Sequence, residues 1–190
     1  MEFSEVIRRQ RMTRRFEQQP IERTLLDSIL SAGQKAPSAG YSQGVSLFVL
    51  EDERTDAFWK CVDPLGRHSV ETRPPVIVIP GYDKQAYLDR YAEPDKHASG
   101  LSVEDKWPTP FWIVDSSFTA MTVMLAATAE GLGCWFFGIF TGKHELLNEL
   151  GLENFEPIGA IGLGYPAARQ LRSPSLRRGR KPFGEFARRP

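Results

Sequence analysis

The chain has 190 residues, of which 41% are hydrophobic and 25% charged, a composition typical of one globular domain with its own core. Cys61 and Cys134 have no metal-binding or redox spacing, and the N-terminal residues contain no apolar signal core. These features favour a reducing cytoplasm over export. No apolar run approaches the ~20 residues of a membrane helix, so we expect no membrane association.

The net charge is zero, but the charge is unevenly placed. Residues 8–15 contain five arginines and no acid, whereas residues 169–190 contain eight basic residues and one acid. These stretches carry +5 and +7, so the rest of the chain carries −12. Basic ends around an acidic middle predict that the termini meet an anion, although two solvated arms would produce the same pattern.

The first half of the chain alternates predicted helices and strands. Residues 4–10 are predicted to form a short helix capped by Ser4, and a second helix begins at Pro20 and stops before Pro37. A strand at residues 45–50 and a helix at residues 54–62 follow. Residues 76–79 are predicted to form a strand buried on both faces. For residues 82–110 we expect a loop with a short helix near residues 84–91.

The second half contains the strongest predicted helix, residues 115–130, with Asp115 as its N-cap and Gly131 at its end. A strand at residues 134–136, a helix from Thr141 to Leu150 and a glycine-rich strand at residues 157–164 follow. This order predicts one α+β domain over residues 1–190, with a mixed central sheet flanked by helices. Residues 168–190 form a C-terminal arm, and its spaced apolar residues predict that it lies on a surface.

Three stretches have residue types suited to a ligand. In an extended segment, Arg11, Thr13 and Arg15 point the same way, and two guanidinium groups with a hydroxyl suit a phosphate monoester. The tail adds Arg178 and Arg180 as further cations. The same arginine cluster is also typical of a solvated face.

The second stretch, residues 36–43, has small residues that would let the backbone approach a flat ligand, and Gln43 offers both a donor and an acceptor. A turn-rich connection between a helix and a strand would have the same composition. The third stretch, residues 131–138, ends in Phe136, Phe137 and Gly138. It could present a backbone N–H to a ring, or it could be a core strand with a tight turn.

Together and in this order, the segments resemble the FMN-dependent nitroreductases along nearly the whole chain. The matching residues are Arg11, Thr13, Arg15 and Phe16, then Pro37, Ser38 and Gln43, then residues 131–133 (Gly-Leu-Gly) and residues 164–166 (Gly-Tyr-Pro) with the basic tail. Two positions depart from the family: Tyr41 stands where Asn is common, and Gly44-Val45 stand where Pro-Trp is common.

The resemblance implies an intertwined homodimer with two FMN sites at its interface, the long helix within that interface and the arm wrapped around the partner. The implied cofactor-binding residues are Arg11, Met12, Thr13, Arg15, Pro37, Ser38, Ala39, Tyr41, Gln43, Phe136, Phe137, Gly138, Arg178 and Arg180. Of these, Arg11, Thr13, Arg15, Arg178 and Arg180 would hold the phosphate. Pro37, Ser38 and Ala39 of the other subunit would lie against the ring system, and an N–H near Phe137 or Gly138 would face the flavin N5.

The implied activity passes reducing equivalents from NADH or NADPH, a transient donor, through the flavin to a small organic acceptor such as a nitroaromatic or a quinone. Phe111 and Trp112 are predicted to help form the substrate pocket. The sequence contains no P-loop and no dinucleotide fingerprint, and its three histidines are isolated. We therefore predict no metal and name no catalytic residue.

Two alternatives stay open. One is a protein that binds a flavin or deazaflavin without turnover, which the departure at Tyr41 permits. The other is a nucleic-acid-binding module that uses the basic ends, although the acidic middle opposes it. The preferred prediction is a cytoplasmic homodimer that binds neither nucleic acid nor membrane.

Overall fold

The computed structural model describes residues 1–152 and 154–189. Its helices are α1 (Phe3–Arg9), α2 (Arg23–Gly33), α3 (Glu53–Val62), α4 (Lys84–Ala92), α5 (Phe111–Ala129), α6 (Lys143–Leu150) and α7 (Phe183–Phe186). Its strands are β1 (Val45–Glu51), β2 (Val76–Tyr82), β3 (Gly133–Phe137), β4 (Glu156–Pro157) and β5 (Ala160–Gly164). The predicted α+β fold is confirmed.

The strands form one sheet in the order β1–β2–β5–β3, with the short β4 paired to the end of β2. A mixed sheet is predicted from the sequence, but each of these strand pairs is antiparallel. The one parallel element among the described residues is an isolated bridge between Met12 and Cys134. Here α3 lies between β1 and β2, and yet these two strands pair antiparallel, so the alternation of helices and strands in the sequence did not indicate strand direction.

Two hydrophobic cores cover the two faces of the sheet. One packs α2 and α5 against the sheet, and the other packs α3 and α6 against the opposite face. Successive side chains of β2 alternate between them: Val76 and Val78 face the first core, whereas Ile77 and Ile79 face the second. All four are buried. The prediction that this strand is buried on both faces is therefore confirmed.

Helix α5 is the central element of the first core, and it begins four residues before the predicted start. Asp115 is therefore not an N-cap but an interior residue of the helix, and it is buried. Alone among the described helices, α5 is long and apolar enough to span a bilayer, and half of that apolar window is buried inside the protein. The expectation that no apolar run approaches the length of a membrane helix was therefore wrong for residues 111–129.

Three other predicted helix starts are also wrong. Glu2, not Ser4, precedes α1, and α2 begins after Glu22, whose carboxylate accepts the Thr24 N–H at 3.3 Å. Gly142 precedes α6, and the hydroxyl of Thr141 instead donates to the Val62 carbonyl oxygen at 3.0 Å.

A buried carboxylate ends α3. Asp63 accepts the backbone N–H groups of Arg67 and His68 at 3.0 and 2.8 Å, and the His68 Nδ1 lies 3.0 Å from the same carboxylate. Burial alone would raise the pKa of Asp63, but the hydrogen bonds from His68 and Arg67 outweigh it and lower the pKa to about 2. The sequence indicated that His68 is isolated, but its ring contacts Asp63.

Candidate functional site

A cleft of about 720 Å³ opens between the end of α2, the start of β1 and α5. We call residues 36–43, which form its rim, the cleft loop. The lining residues are Leu30, Gly33, Gln34, Lys35, Ala36, Pro37, Ser38, Tyr41, Gln43, Val45, Leu47 and Thr119. The volume falls within the roughly 300–1,000 Å³ typical of small-molecule sites, and apolar walls with a few polar groups suit a flat heterocycle.

The cleft loop contains an unusual run of left-handed backbone. Gly40, Tyr41 and Gln43 have φ angles of 60°, 58° and 52°. At Gly40 the structure requires glycine, because an added Cβ would lie 2.7 Å from the Tyr91 ring. Tyr41 and Gln43 each hold a conformation that costs a non-glycine residue about 1–2 kcal/mol, and such strain is common where a loop is shaped for a ligand.

Contacts from two helices hold the cleft loop. Oδ2 of Asp115 on α5 accepts the N–H of Ala39 at 2.8 Å and the hydroxyl of Tyr87 on α4 at 2.9 Å. Nε of Arg90 donates to the Gly40 carbonyl oxygen at 2.9 Å. The pKa of Tyr87 is raised by burial and by its hydrogen bond to Asp115. Sequence reasoning missed these supports, and a single acid inside an apolar helix was the only available signal for Asp115.

The N-terminal arginine segment lies at the opposite edge of the sheet, along β3. The Thr13 N–H donates to the Cys134 carbonyl oxygen at 2.8 Å. The Thr13 side chain is buried against Gly133. A Cβ added at Gly133 would lie 2.5 Å from the hydroxyl oxygen of Thr13, so only glycine allows this close contact. Arg11, Thr13 and Arg15 were predicted to present their side chains together to a phosphate. The structure does not bring all three together, because Arg11 is exposed while the Thr13 hydroxyl is covered by β3.

Arg15 is half-buried in a smaller cleft of about 400 Å³. Its Nη2 lies 3.6 Å from Oε2 of Glu71, and its buried Nε has no hydrogen-bond partner among residues 1–152 and 154–189. Arg169 from the start of the arm lines the same cleft. A buried donor with spare hydrogen-bonding capacity beside a second cation is suited to an anionic group.

The end of β3 presents the third predicted stretch. The Phe136 N–H is directed to the sulfur of Met12 at 3.4 Å, while Phe137 pairs with Ala160 of β5. Phe137 also stacks on Trp59 at 5.7 Å between ring centroids, which places its ring in the second core. No hydrogen bond from the Gly138 N–H is found within the described part of the chain.

The C-terminal arm begins beside the arginine segment. Oε1 of Gln170 accepts the N–H groups of Arg14 and Arg15 at 3.0 and 3.3 Å. Beyond this anchor, Arg178 and Arg180 are exposed, and the structure does not bring them to Arg11 or Arg15 through any described contact. The apolar arm residues are also exposed, by 44–79%: Leu171, Leu176, Phe183 and Phe186.

The predicted site residues therefore fall into two groups on opposite edges of the sheet. The cleft loop precedes β1 at one edge, whereas the arginine segment lies outside β3 at the other. Four interstrand spacings separate β1 from the arginine segment, about 19 Å. All of the cleft's lining residues come from residues 30–47 and α5.

An aromatic cap lies beside the cleft loop and joins α4 to the start of α5. We define it as Tyr82, Tyr87, Tyr91, Trp107, Phe111 and Trp112. Ring centroids lie 4.7 Å apart for Tyr91 and Trp107, and 5.5 Å apart for Trp107 and Trp112. Trp112 is 5% exposed, whereas Phe111 at the edge of the cap is 37% exposed. Of the two predicted substrate residues, Phe111 has the accessible ring.

Comparison with known proteins gives consistent matches. Residues 7–165 match the model of the nitroreductase family. The chain is 28% identical to a Methanothermobacter thermautotrophicus protein whose name proposes an NADH dehydrogenase or NAD(P)H nitroreductase, over 88% of this chain and 78% of that protein. It is 23% identical to an NADPH-dependent oxidoreductase of Staphylococcus aureus, over 85% of this chain but only 64% of that protein.

A solved structure from Desulfovibrio desulfuricans in complex with FMN has the same fold, with a TM-score of 0.75 and 22% identity. The match covers 100% of this chain and 97% of that one.

Proposed function

The chain belongs to the nitroreductase family, and on that premise we propose that it is an FMN-dependent oxidoreductase that draws on NADH or NADPH. The observation that carries the proposal is the cleft whose strained loop contains Pro37, Ser38 and Gln43, residues that match the family pattern. The names of two relatives, an NAD(P)H nitroreductase and an NADPH-dependent oxidoreductase, support the same activity.

The residues of this chain fit FMN at both ends of the cofactor. A cleft with apolar walls and a polar rim suits the ring system. The buried Nε of Arg15, which has no hydrogen-bond partner among the residues that the structure describes, suits the phosphate. Arg11, Arg15, Arg178 and Arg180 would neutralise the phosphate charge, with Met12 and Thr13 packing the segment onto β3. Charge-assisted bonds from arginine are the strongest that this segment can offer to a phosphate.

On the ring side, Pro37, Ser38 and Ala39 form a small-residue surface that a flat heterocycle can approach closely. Gln43 can both donate to and accept from the polar edge of the ring. Tyr41, which stands where the family commonly has Asn, is 76% exposed and free to stack or to hydrogen-bond. These residues would bind and orient the ring and exclude water from one of its faces.

When bound, FMN supplies hydride and electron transfer at N5, and the protein supplies placement and electrostatics. At the end of β3 the Phe136 N–H has Met12 as a partner and Phe137 pairs with Ala160 of β5, so the Gly138 N–H is the donor that would face the flavin N5. No side chain is required to move a proton in this scheme. We accordingly assign no catalytic acid or base.

The separation of the two groups of site residues supports a homodimer in which each site draws on both chains. The arginine segment of one chain and the cleft loop of its partner would form one site, which a single chain cannot do across about 19 Å of sheet. Exposed apolar side chains on α1 and α5 support the same assembly: Phe3, Ile7, Ile113, Phe118 and Met121. The exposed apolar residues of the arm would pack on the partner.

The acceptor would be a small organic molecule such as a nitroaromatic or a quinone. The exposed edge of the aromatic cap supports a planar substrate, with Phe111 in contact and the buried Trp112 shaping the wall. Cys61 and Cys134 are both free thiols, which supports the prediction of a cytoplasmic location.

The colour of the purified protein tests this proposal against both alternatives. We expect a yellow protein whose flavin absorbance bleaches with NADH or NADPH under anaerobic conditions and recovers when a nitroaromatic or quinone is added. Flavin that does not bleach would favour binding without turnover. A colourless protein that rejects added FMN and binds DNA in a salt-dependent manner would favour the nucleic-acid alternative.

A further inference from the structure

The cleft loop and the aromatic cap meet at one buried carboxylate. Asp115 is 2% exposed, and its Oδ2 accepts both the Ala39 N–H of the loop and the Tyr87 hydroxyl of the cap. We propose that Asp115 is a positioning residue that holds the cleft loop in its ligand-binding shape and couples that shape to the aromatic cap. The inference rests on the proposed function in so far as the ligand is FMN.

The loop needs a support from outside itself. Of its hydrogen-bonded N–H groups, those of Tyr41, Ser42 and Gln43 are satisfied by other residues of the loop. The Ala36 N–H donates to the Gly33 carbonyl oxygen at the adjoining end of α2. Within the described part of the chain, the Ala39 N–H is the one loop amide bound by an element distant in sequence, through Asp115 on α5. Two non-glycine residues in left-handed backbone make the loop costly to maintain, so its conformation depends on such external contacts.

The second contact of Asp115 links the loop to the cap. Tyr87 is fully buried and packs edge-to-face on Trp112 and Trp107, with ring centroids 6.1 and 6.3 Å apart. Arg90, one turn further along α4, binds the Gly40 carbonyl oxygen and is itself held by Asp95 at 2.7 Å. A shift of α4 or of the cap rings is therefore transmitted to the loop through Tyr87 and Asp115.

Asp63 provides a matched control. It is also almost fully buried and also accepts backbone N–H groups, but it lies at the end of α3, on the other face of the sheet. Its replacement should weaken folding without touching the cleft loop. A comparison of Asp115 and Asp63 variants therefore separates a specific effect on the loop from a general loss of stability.

The test measures FMN dissociation constants of the apoprotein by flavin fluorescence, together with amide hydrogen exchange of residues 36–44 without flavin. Asp115→Ala should weaken FMN binding by about tenfold or more, the factor expected for one hydrogen bond to a charged group. It should also remove the protection of the Ala39 amide. Asp115→Asn should restore most of the affinity, because its amide oxygen can accept both bonds. Tyr87→Phe, a milder change, should shift both readouts in the same direction.

Asp63→Ala should lower the melting temperature and leave FMN affinity and loop exchange unchanged. The proposal is overturned if Asp115→Ala and Tyr87→Phe retain parental affinity and parental exchange. It is equally overturned if Asp63→Ala weakens FMN binding as much as Asp115→Ala does. If the parent protein fails to bind FMN, the proposed function fails, but hydrogen exchange at Ala39 still decides the role of Asp115.

Discussion

The main-chain N–H of Ala39 donates to the carboxylate of Asp115 at 2.8 Å, although the two residues are 76 positions apart in the chain. This contact ties the cleft loop to the interior of the central helix. The loop is therefore anchored to α5, whose exposed face carries Phe118 and Met121. If α5 forms the dimer interface, assembly and cleft shape depend on the same helix.

The first prediction concerns phosphate anchoring. Replacing Arg11 or Arg15 with Ala should remove a charge-assisted bond worth about 1.5–3 kcal/mol, and so weaken FMN binding roughly ten- to a hundredfold. Fluorescence titration of the apoprotein measures this change. Arg23→Ala is the control, since Arg23 is an exposed arginine of α2 that pairs only with Asp27 among the described residues. FMN affinity equal to the parent in both variants would rule out the assignment.

The second prediction concerns the arm. Deleting residues 168–190 should lower both the dimer population in sedimentation and the flavin content after purification. The double change Phe183→Ser and Phe186→Ser is a gentler version, because both rings are exposed in one chain and their loss should not destabilise a monomer. A parent protein that sediments as a monomer at micromolar concentration would contradict the prediction.

The third prediction separates the two proposed substrate residues by their burial. Phe111→Ala should change the kcat/KM for the acceptor while the FMN content stays intact, because its ring is accessible. Trp112→Ala should instead cost about 3–5 kcal/mol of stability, as for other buried aromatic residues, and lower Tm by roughly 10 °C. Unchanged acceptor kinetics in the Phe111 variant would show that Phe111 does not contact the acceptor and that its role is structural.

The fourth prediction concerns acid stability. Because the folded pKa of Asp63 lies below its ordinary value of 3.8, its contribution is fully present above that value and is lost as the pH falls towards about 2. Asp63→Asn should lower the free energy of unfolding by about 1–2 kcal/mol near neutral pH. The two proteins should converge between pH 4 and pH 2 in denaturant titrations. A difference that is constant across this range would show that Asp63 does not titrate as the structure indicates.

Much of the fold could be predicted because its signals are local. The apolar run of β2 and the long apolar stretch of α5 are recognisable in the sequence, and Gly131 follows α5 with a left-handed φ of 81°. The helix starts could not be predicted as well. Asp115 is a typical capping residue beside an apolar run, yet aromatic packing of Trp112 starts the helix a turn earlier and buries the carboxylate.

The candidate site was predictable only as separate segments. Residue types in the cleft loop and in the arginine segment are visible in the sequence, but their separation depends on strand order, which is set by tertiary packing. Nothing local signals that Tyr87 and Asp115 meet, or that the Thr13 hydroxyl is covered by Gly133. Long-range hydrogen bonds of this kind leave no periodicity to detect.

The central claim is that each flavin site is formed by two chains, and mixed dimers test it most directly. Arg15→Ala damages the phosphate half of the site, and Ala36→Trp fills the cleft that Ala36 lines. The two variants, carrying different tags, are co-expressed and their heterodimer is isolated by tandem purification. FMN is then added at a concentration that saturates the parent but leaves both variant homodimers largely empty.

If the two halves come from different chains, one site of the heterodimer is undamaged and the other carries both changes, so we predict one FMN per heterodimer. If each site lies within a single chain, both sites remain damaged, and a heterodimer as empty as the homodimers would contradict the account.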